Sequence, residues 1–399
     1  MTNHKRLISW AILTMEFNTL AMSAVSPALE NIGAIFPGTP HAFLSMLSTL
    51  PALICVPVGM ISTSLVGKNV TFRNMAVLGA ILLLAGGLGP IFAETFPALL
   101  FWRLVFGVGM GVMSPMGGAL MFSCMNKEEA EKQSSADSIS NSVGAIVYQL
   151  LGGFLCATFT WRQTFLVYLL IIPTMGFVLY ALSRIDIANR CFLLDTPEQP
   201  TAAKGARYGA GFWCWCSLYG VFCILFYPLV TDMSTLVLNN TYGTATSVSI
   251  ILSVYTVGGA LGGYLYQFKP ILALDTKVFA LIFSLNALGF FIIIQATSVV
   301  PLVIGSFIFG IGYGLFTAAI TIFAGYSVPQ ELRMGVMARI LVFTGTGEFI
   351  SAFVMSFVKK QVFHSSNDRF SYIFSCACLI VLAVFFLVKP KSAATVEVD

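Results

Sequence analysis

Residues 101–120 read FWRLVFGVGMGVMSPMGGAL, a run apolar enough to lie in a membrane yet holding one arginine, Arg103. A cation in hydrocarbon costs at least ~2.5–3.5 kcal/mol on insertion scales, so it needs a polar cavity or a partner. Behind Arg103 come Gly107, Gly109 and Gly111 in the pattern Phe-Gly-x-Gly-x-Gly. Glycines at such spacing let a second helix backbone approach closely. Phe309, Gly310, Gly312 and Gly314 repeat Phe106, Gly107, Gly109 and Gly111, each 203 positions on, with Ser306 at the position of Arg103. The chain therefore reads as two related halves with the charge kept only in the first. Internal repeats in a polytopic membrane protein point to a transporter whose site lies near the midplane between them. The glycine pattern is not a nucleotide fingerprint, because no strand precedes it.

Composition agrees with a membrane protein. Charged residues make up 10% of the 399 and hydrophobic ones 57%, far from the roughly 25% charge of soluble domains. Apolar runs predict twelve spans, near 7–27, 43–66, 75–93, 97–124, 138–158, 164–182, 210–230, 245–268, 278–296, 301–326, 335–358 and 370–388. The first run follows Lys5 and Arg6 and could pass for a signal peptide, but it carries Glu16 and exceeds a typical apolar region of that kind, so it is read as a mature span. The expected class is an all-α integral membrane protein with 12 transmembrane helices in two pseudo-symmetric six-helix bundles. These would cover 1–182 and 209–399, joined by a polar linker over 183–208.

Of the twenty lysines and arginines other than Arg103, sixteen fall on the side of the termini and four on the other: Arg162, Lys359, Lys360 and Arg369. That bias places both termini in the cytoplasm and the protein in the cell membrane. Three of the four exceptions sit in the last outer loop. No basic stripe supports nucleic-acid binding. The nine cysteines lie without zinc spacing or a nearby histidine and are read as packing residues, with no metal and no cofactor expected. His4, His41 and His364 all fall outside the expected spans. An integral membrane enzyme or sensor therefore has little to build on, and no enzyme is expected.

Two six-span halves, a central loop and an arginine-glycine fourth span together resemble the major facilitator superfamily over the whole chain. The fourth-span motif matches at Arg103, Gly107 and Gly109, with Phe106 where glutamine is usual. Trp161-Arg162 followed by Phe165 is also common at the entry to the sixth span. Two family motifs are degraded. The loop after the second span reads STSLVGKNVTFRN over 62–74, keeping Lys68 and Arg73 but no acidic residue. The fifth-span antiporter motif survives only as Gly144, Gly152 and Gly153, with Tyr148 and Gln149 replacing its Gly-Pro pair.

Glu16 sits near the middle of the first span, in LTMEFNTLAMSAVSP. A carboxylate there is costly to keep ionised, so it is a candidate to take up a proton or a cationic substrate. Its Glu-Phe-Asn-Thr context, with Pro27 eleven positions on, resembles multidrug/proton antiporters with an acidic residue in helix one. Arg103 has three readings: a partner of Glu16, a clamp for an anionic substrate, or a structural arginine holding loop carbonyls. Glu348, mid-span in the eleventh helix, is a candidate second protonation site or gate. Asp137 reads as a helix cap beside Ser138, and Asp232 as a solvated residue at the outer end of the seventh span. Phe212, Trp215, Tyr219, Phe222 and Phe226 recur at three- and four-residue steps on that span, and Tyr313 with Phe316 could add an opposite wall. Such a stripe either stacks organic molecules or packs against neighbouring helices. The expected function is proton-coupled export of small amphipathic or drug-like compounds by a monomer in the lipid bilayer. The alternative is uptake or exchange of a small organic anion clamped by Arg103.

Overall fold

A computed structural model of the chain describes residues 3–65, 70–125, 127–184, 208–272, 274–328, 336–365 and 367–388. Most of the linker expected over 183–208, the loop residue Lys68 and the tail beyond 388 lie outside the described residues. The fold is all-α. Twelve helices are long and apolar enough to cross a bilayer: α1 (Arg6–Ile35), α2 (His41–Thr63), α3 (Phe72–Phe92), α4 (Phe96–Met121), α5 (Lys132–Thr158), α6 (Gln163–Ser183), α7 (Ala210–Asn239), α8 (Ala245–Leu265), α9 (Asp275–Gln295), α10 (Val299–Tyr326), α11 (Arg339–Val362) and α12 (Phe370–Val388).

Two spans run well past their expected ends. α1 is helical to Phe17, becomes a 3-10 stretch over Ala21–Ala28 that carries Pro27, and resumes as helix over Leu29–Ile35. α7 is helical over Ala210–Phe226, then continues through Pro228–Thr231 and Met233–Asn239. Proline ends a helix only where its missing N–H and ring cannot be placed. Pro228 stands in the first turn of a new segment, where no N–H is needed.

Each half has its own core. One gathers buried residues from Ile8 to Leu182 together with Ala245 of α8, the other from Phe212 to Phe386. The outward surface is apolar instead of charged: Trp10, Phe92, Ile172, Phe291 and Val381 are all more than half exposed. That inversion of the soluble pattern suits a lipid solvent.

The glycine motif explains how each half is wedged together. Gly107 and Gly111 stand one turn apart and face α2, so a Cβ on Gly107 would lie 2.8 Å from Pro51 Cα, and one on Gly111 2.8 Å from the Cys55 carbonyl oxygen. Gly109 points the other way, onto the Leu83 backbone of α3. In the second half Gly310 and Gly314 meet the backbone of α8 at Tyr255 and Gly259, and Gly312 meets Asn286 of α9. Asn286 is the counterpart of Leu83 at the same 203-residue offset. The symmetry extends to the helix ends. Arg162 donates to the Ala93 carbonyl (3.2 Å) and Arg369 to the Ala296 carbonyl (2.7 Å), and Ala93 and Ala296 are again 203 apart. Arg369 also reaches Ile294 O (2.7 Å) and Tyr242 Oη (2.6 Å). One of the three excess cations of the last loop is thus a structural clamp.

The halves touch at the end away from the termini. Ser234 Oγ donates to the Pro27 carbonyl (3.1 Å) and accepts from the Glu30 N–H (3.2 Å). Thr235 Oγ1 donates to Glu30 Oε2 (2.7 Å) and lies 3.2 Å from His41 Nε2. Gly153 of α5 packs on Ala245 and Ser249 of α8, and Phe43 meets Phe353 edge-on at 5.8 Å.

Candidate functional site

Glu16 lies in the last turn of the first α1 segment, just before the chain tightens. Its Oε2 accepts from Thr19 Oγ1 at 3.2 Å. The carboxylate lines a cavity of about 20 Å³ with Asn18, Cys55, Ser114 and four methionines, Met15, Met110, Met113 and Met175. That volume admits about one water. Gly117 of α4 faces Glu16 directly, because a Cβ there would come 2.9 Å from its Oε1.

Arg103 is 0% exposed and does not pair with Glu16. Its Nε donates to the Leu47 carbonyl (2.7 Å), Nη1 to Tyr168 Oη (2.9 Å) and Nη2 to the Met22 carbonyl (3.4 Å). The guanidinium also lies over the Phe106 ring at 4.7 Å. Sequence dictates the first of these bonds. Leu47 O would accept from the N–H of residue 51, but Pro51 has none. Arg103 supplies the missing donor. Its side chain therefore ties α4 to α1, α2 and α6. Next to it, Asn18 accepts from Tyr148 Oη (2.6 Å) and donates to Thr174 Oγ1 (3.1 Å), adding α5 and α6 to the same buried polar set.

Gly144 and Gly152 of α5 press on the α1 backbone at Phe17 and Ala24. Asp137 is not a helix cap, because the helix already begins at Lys127. Its Oδ1 accepts from Gln133 Nε2 (2.8 Å), and Gln133 bonds Ser9 of α1 (2.5 Å). The Asp137 carboxylate lies within electrostatic reach of Glu16.

In the second half the aromatic stripe packs on itself. Phe222 is fully buried, 3.9 Å from Phe316 between ring centroids. Trp215 stacks on Phe279 and touches Phe323, both at 5.2 Å. Tyr219 meets Phe316 edge-on at 5.2 Å, and Tyr313 lies 4.8 Å from Phe226 and 5.5 Å from Tyr255. Trp213, off this face, is 41% exposed. Glu348 stands on α11 against α7, within electrostatic reach of Tyr219 and Tyr313.

Asp232 is neither at the end of the seventh span nor solvated, since α7 runs on beyond it and its side chain is 15% exposed. It accepts from Thr231 Oγ1 (2.8 Å) and sits 3.9 Å from His41 Nδ1, on the wall of a cavity of about 80 Å³ shared with Lys359, Lys360 and Asp368. His41, expected outside the spans, is the first residue of α2. Among the described residues no group of three or more His, Cys, Asp or Glu could hold a metal ion. Sequence reasoning missed Asn18, Tyr148, Tyr168 and Thr235. Only Pro51, four residues after Leu47, left a signal of where Arg103 would bond.

The fold is shared with solved transporters. An autoinhibited peptide transporter of the POT family superposes with a TM-score of 0.76 at 10% identity, covering 99% of both chains. A D-xylose–proton symporter gives 0.70 at 14% identity over 96% of this chain and 97% of its own. MdtD of Pectobacterium atrosepticum, a protein named for multidrug resistance, is 22% identical over 164 residues, which span 40% of this chain and 35% of that relative. The chain thus matches about a third of that relative's length. The family model described as Major Facilitator Superfamily matches residues 11–274. With twelve spans, two glycine-wedged halves and a match over more than half its length, the chain belongs to the major facilitator superfamily and is a multi-pass membrane transporter, not an enzyme.

Proposed function

We propose that the chain is a proton-coupled exporter of small amphipathic organic compounds, working as a monomer in the cell membrane with both termini cytoplasmic. One observation carries this reading: Glu16 lines a water-sized cavity in mid-membrane with no cation to pair it among the described residues. A carboxylate stranded there binds a proton or a cation in turn, which is the property a coupling site needs. Asp137, linked through Gln133 to α1, extends the acidic path toward the end where the termini lie. The four methionines beside Glu16 adapt to ligands of different shape. The likeness to MdtD supports drug-like cargo. The anion-exchange alternative loses its clamp, because every nitrogen of Arg103 already serves the protein.

In proteoliposomes an imposed pH gradient should drive ethidium transport by the wild-type protein. Glu16→Gln should lower that coupled flux at least ~10-fold while leaving the thermal unfolding profile in place. Coupled flux at the wild-type rate in Glu16→Gln would remove Glu16 from the role.

A further inference from the structure

The cavity beside Glu16 carries a chemistry that proton binding does not use. Sulfur-bearing side chains dominate its wall: Met15 of α1, Met110 and Met113 of α4, Met175 of α6 and Cys55 of α2. The four methionines are at most 8% exposed and come from three helices of one half. Met110 and Met113 are three residues apart, so they share a face of α4. Met113 has its place because residue 79 on α3 is glycine: a Cβ there would lie 2.6 Å from the Met113 Sδ. Methionine is a flexible filler of gaps. Four of them around one point nevertheless leave about 20 Å³ open, room for a single particle the size of a water.

Such a wall selects its ligand. Thioethers are neutral, soft donors that suit Cu(I)-type ions, whereas hard cations take oxygen. The oxygens nearby are already engaged. Asn18 Oδ1 accepts from Tyr148 Oη (2.6 Å), Thr19 Oγ1 donates to Glu16 (3.2 Å), and Ser114 bonds Cys55. Zinc takes Cys, His and carboxylate ligands together, and no group of three such residues exists among the described residues. Neutral thioethers lack a charge to balance a metal ion. The Glu16 carboxylate, with no cation to pair it among the described residues, supplies one. We propose that this cavity binds a soft monovalent metal cation, Cu(I) or Ag(I), with the thioethers of Met15, Met110, Met113 and Met175 as ligands and Glu16 as counter-charge. The spacing of cysteines and histidines is blind to such a site, because its ligands are methionines drawn from three helices. The inference shares its cavity with the export reading without resting on it.

The test is anaerobic competition for Cu(I) between the full-length protein in nanodiscs and bicinchoninate, whose copper complex is coloured. Wild type should withdraw Cu(I) from the dye, and excess Zn(II) should not return it. X-ray absorption at the copper edge should show sulfur neighbours. Met113→Leu with Met175→Leu should weaken the competition at least ~10-fold. These swaps conserve volume, so the thermal unfolding profile should stay in place. Met116→Leu, fully buried on the same helix but off the cavity wall, should bind within about twofold of wild type. Free thiols elsewhere in the chain are the competing source of copper binding. Copper retained at full affinity by the double methionine variant, or lost only on Cys55→Ser, would assign it to thiols and overturn the proposal. No withdrawal of Cu(I) by wild type would overturn it as well. None of these outcomes touches the pH-driven ethidium flux, and a failure of that flux leaves the copper site standing.

Discussion

Replacing Arg103 by methionine tests whether this arginine is a structural tie. The change keeps side-chain bulk and removes all the donors. It leaves Leu47 O and Tyr168 Oη without the partners they have at 2.7 and 2.9 Å, both in fully buried surroundings. Each orphaned buried group costs about 1–3 kcal/mol, so Arg103→Met should destabilise the fold by about 2–6 kcal/mol. The loss of a buried charge offsets part of that, which favours the lower half of the range. Pro51→Ala supplies the discriminating arm. Alanine restores an N–H that can reach Leu47 O along α2, so in the Pro51→Ala background Arg103→Met should cost about 0.5–1.5 kcal/mol less. The assay is unfolding of the four proteins by SDS in mixed micelles, followed by tryptophan fluorescence. Additivity within about 0.3 kcal/mol would refute the link between Pro51 and Arg103. The folded fraction of Arg103→Met should also transport with a KM within about twofold of wild type. A large rise in KM would restore a ligand role.

Two further outcomes follow from the contacts between helices. Ser234→Ala with Thr235→Ala removes the side-chain bonds that clasp α7 to α1 and α2. Spin labels at the exposed positions Ile35 and Phe363, one on each half, should then report a larger population of long distances by pulsed electron resonance; an unchanged distribution would show that the clasp bears no load. Gly144→Leu drives a side chain into the Phe17 backbone and should abolish folded protein on size exclusion, whereas Gly118→Leu, with nothing within 4 Å of its Cβ position, should stay within about 0.5 kcal/mol of wild type. Equal yields from the two would contradict the packing of α5 on α1.

The wedge geometry was legible in the sequence because it is local. Gly107, Gly109 and Gly111 stand on one helix, and spacing alone says that positions one turn apart share a face. The identity of the facing helix was not legible, and neither were the partners of Arg103, which come from residues 56 and 65 positions away in the chain. Pro27 misled for a physical reason. It marks a switch from α to 3-10 geometry, and the polar residues behind it, Glu30 above all, stay in the helix because Ser234 and Thr235 of the other half satisfy them. The aromatic stripe was visible as a period of three and four, but lipid-facing and core-facing rings share that period. Phe222, at 0% exposure, shows that this stripe faces the core, whereas Trp213, out of its period, is 41% exposed.

The two halves hold the same wedge by different chemistry, and that difference decides where the molecule can move. In the first half Arg103 binds three neighbouring helices through fully desolvated hydrogen bonds. In the second, Ser306 takes its place with a buried hydroxyl that has no hydrogen-bond partner among the described residues, and rings such as Phe290 and Phe309 pack 4.3 Å apart. Neither core opens cheaply. The clasp between the halves is of another order: hydroxyl bonds at Ser234 and Thr235 and a 3.9 Å contact of His41 with Asp232. Neutral bonds of this kind contribute about 0.5–1.5 kcal/mol each, and one to a carboxylate about 1.5–3. At a helix end, water can replace them. The sum of these polar bonds, a few kcal/mol, is comparable with the ~5.5 kcal/mol that carries a two-state equilibrium from 1:99 to 99:1, and the packing of Gly153 on Ala245 and Ser249 and of Phe43 on Phe353 adds to it. The polar clasp is thus the weaker of the two kinds of joint, and separation of the halves would break it before either bundle core.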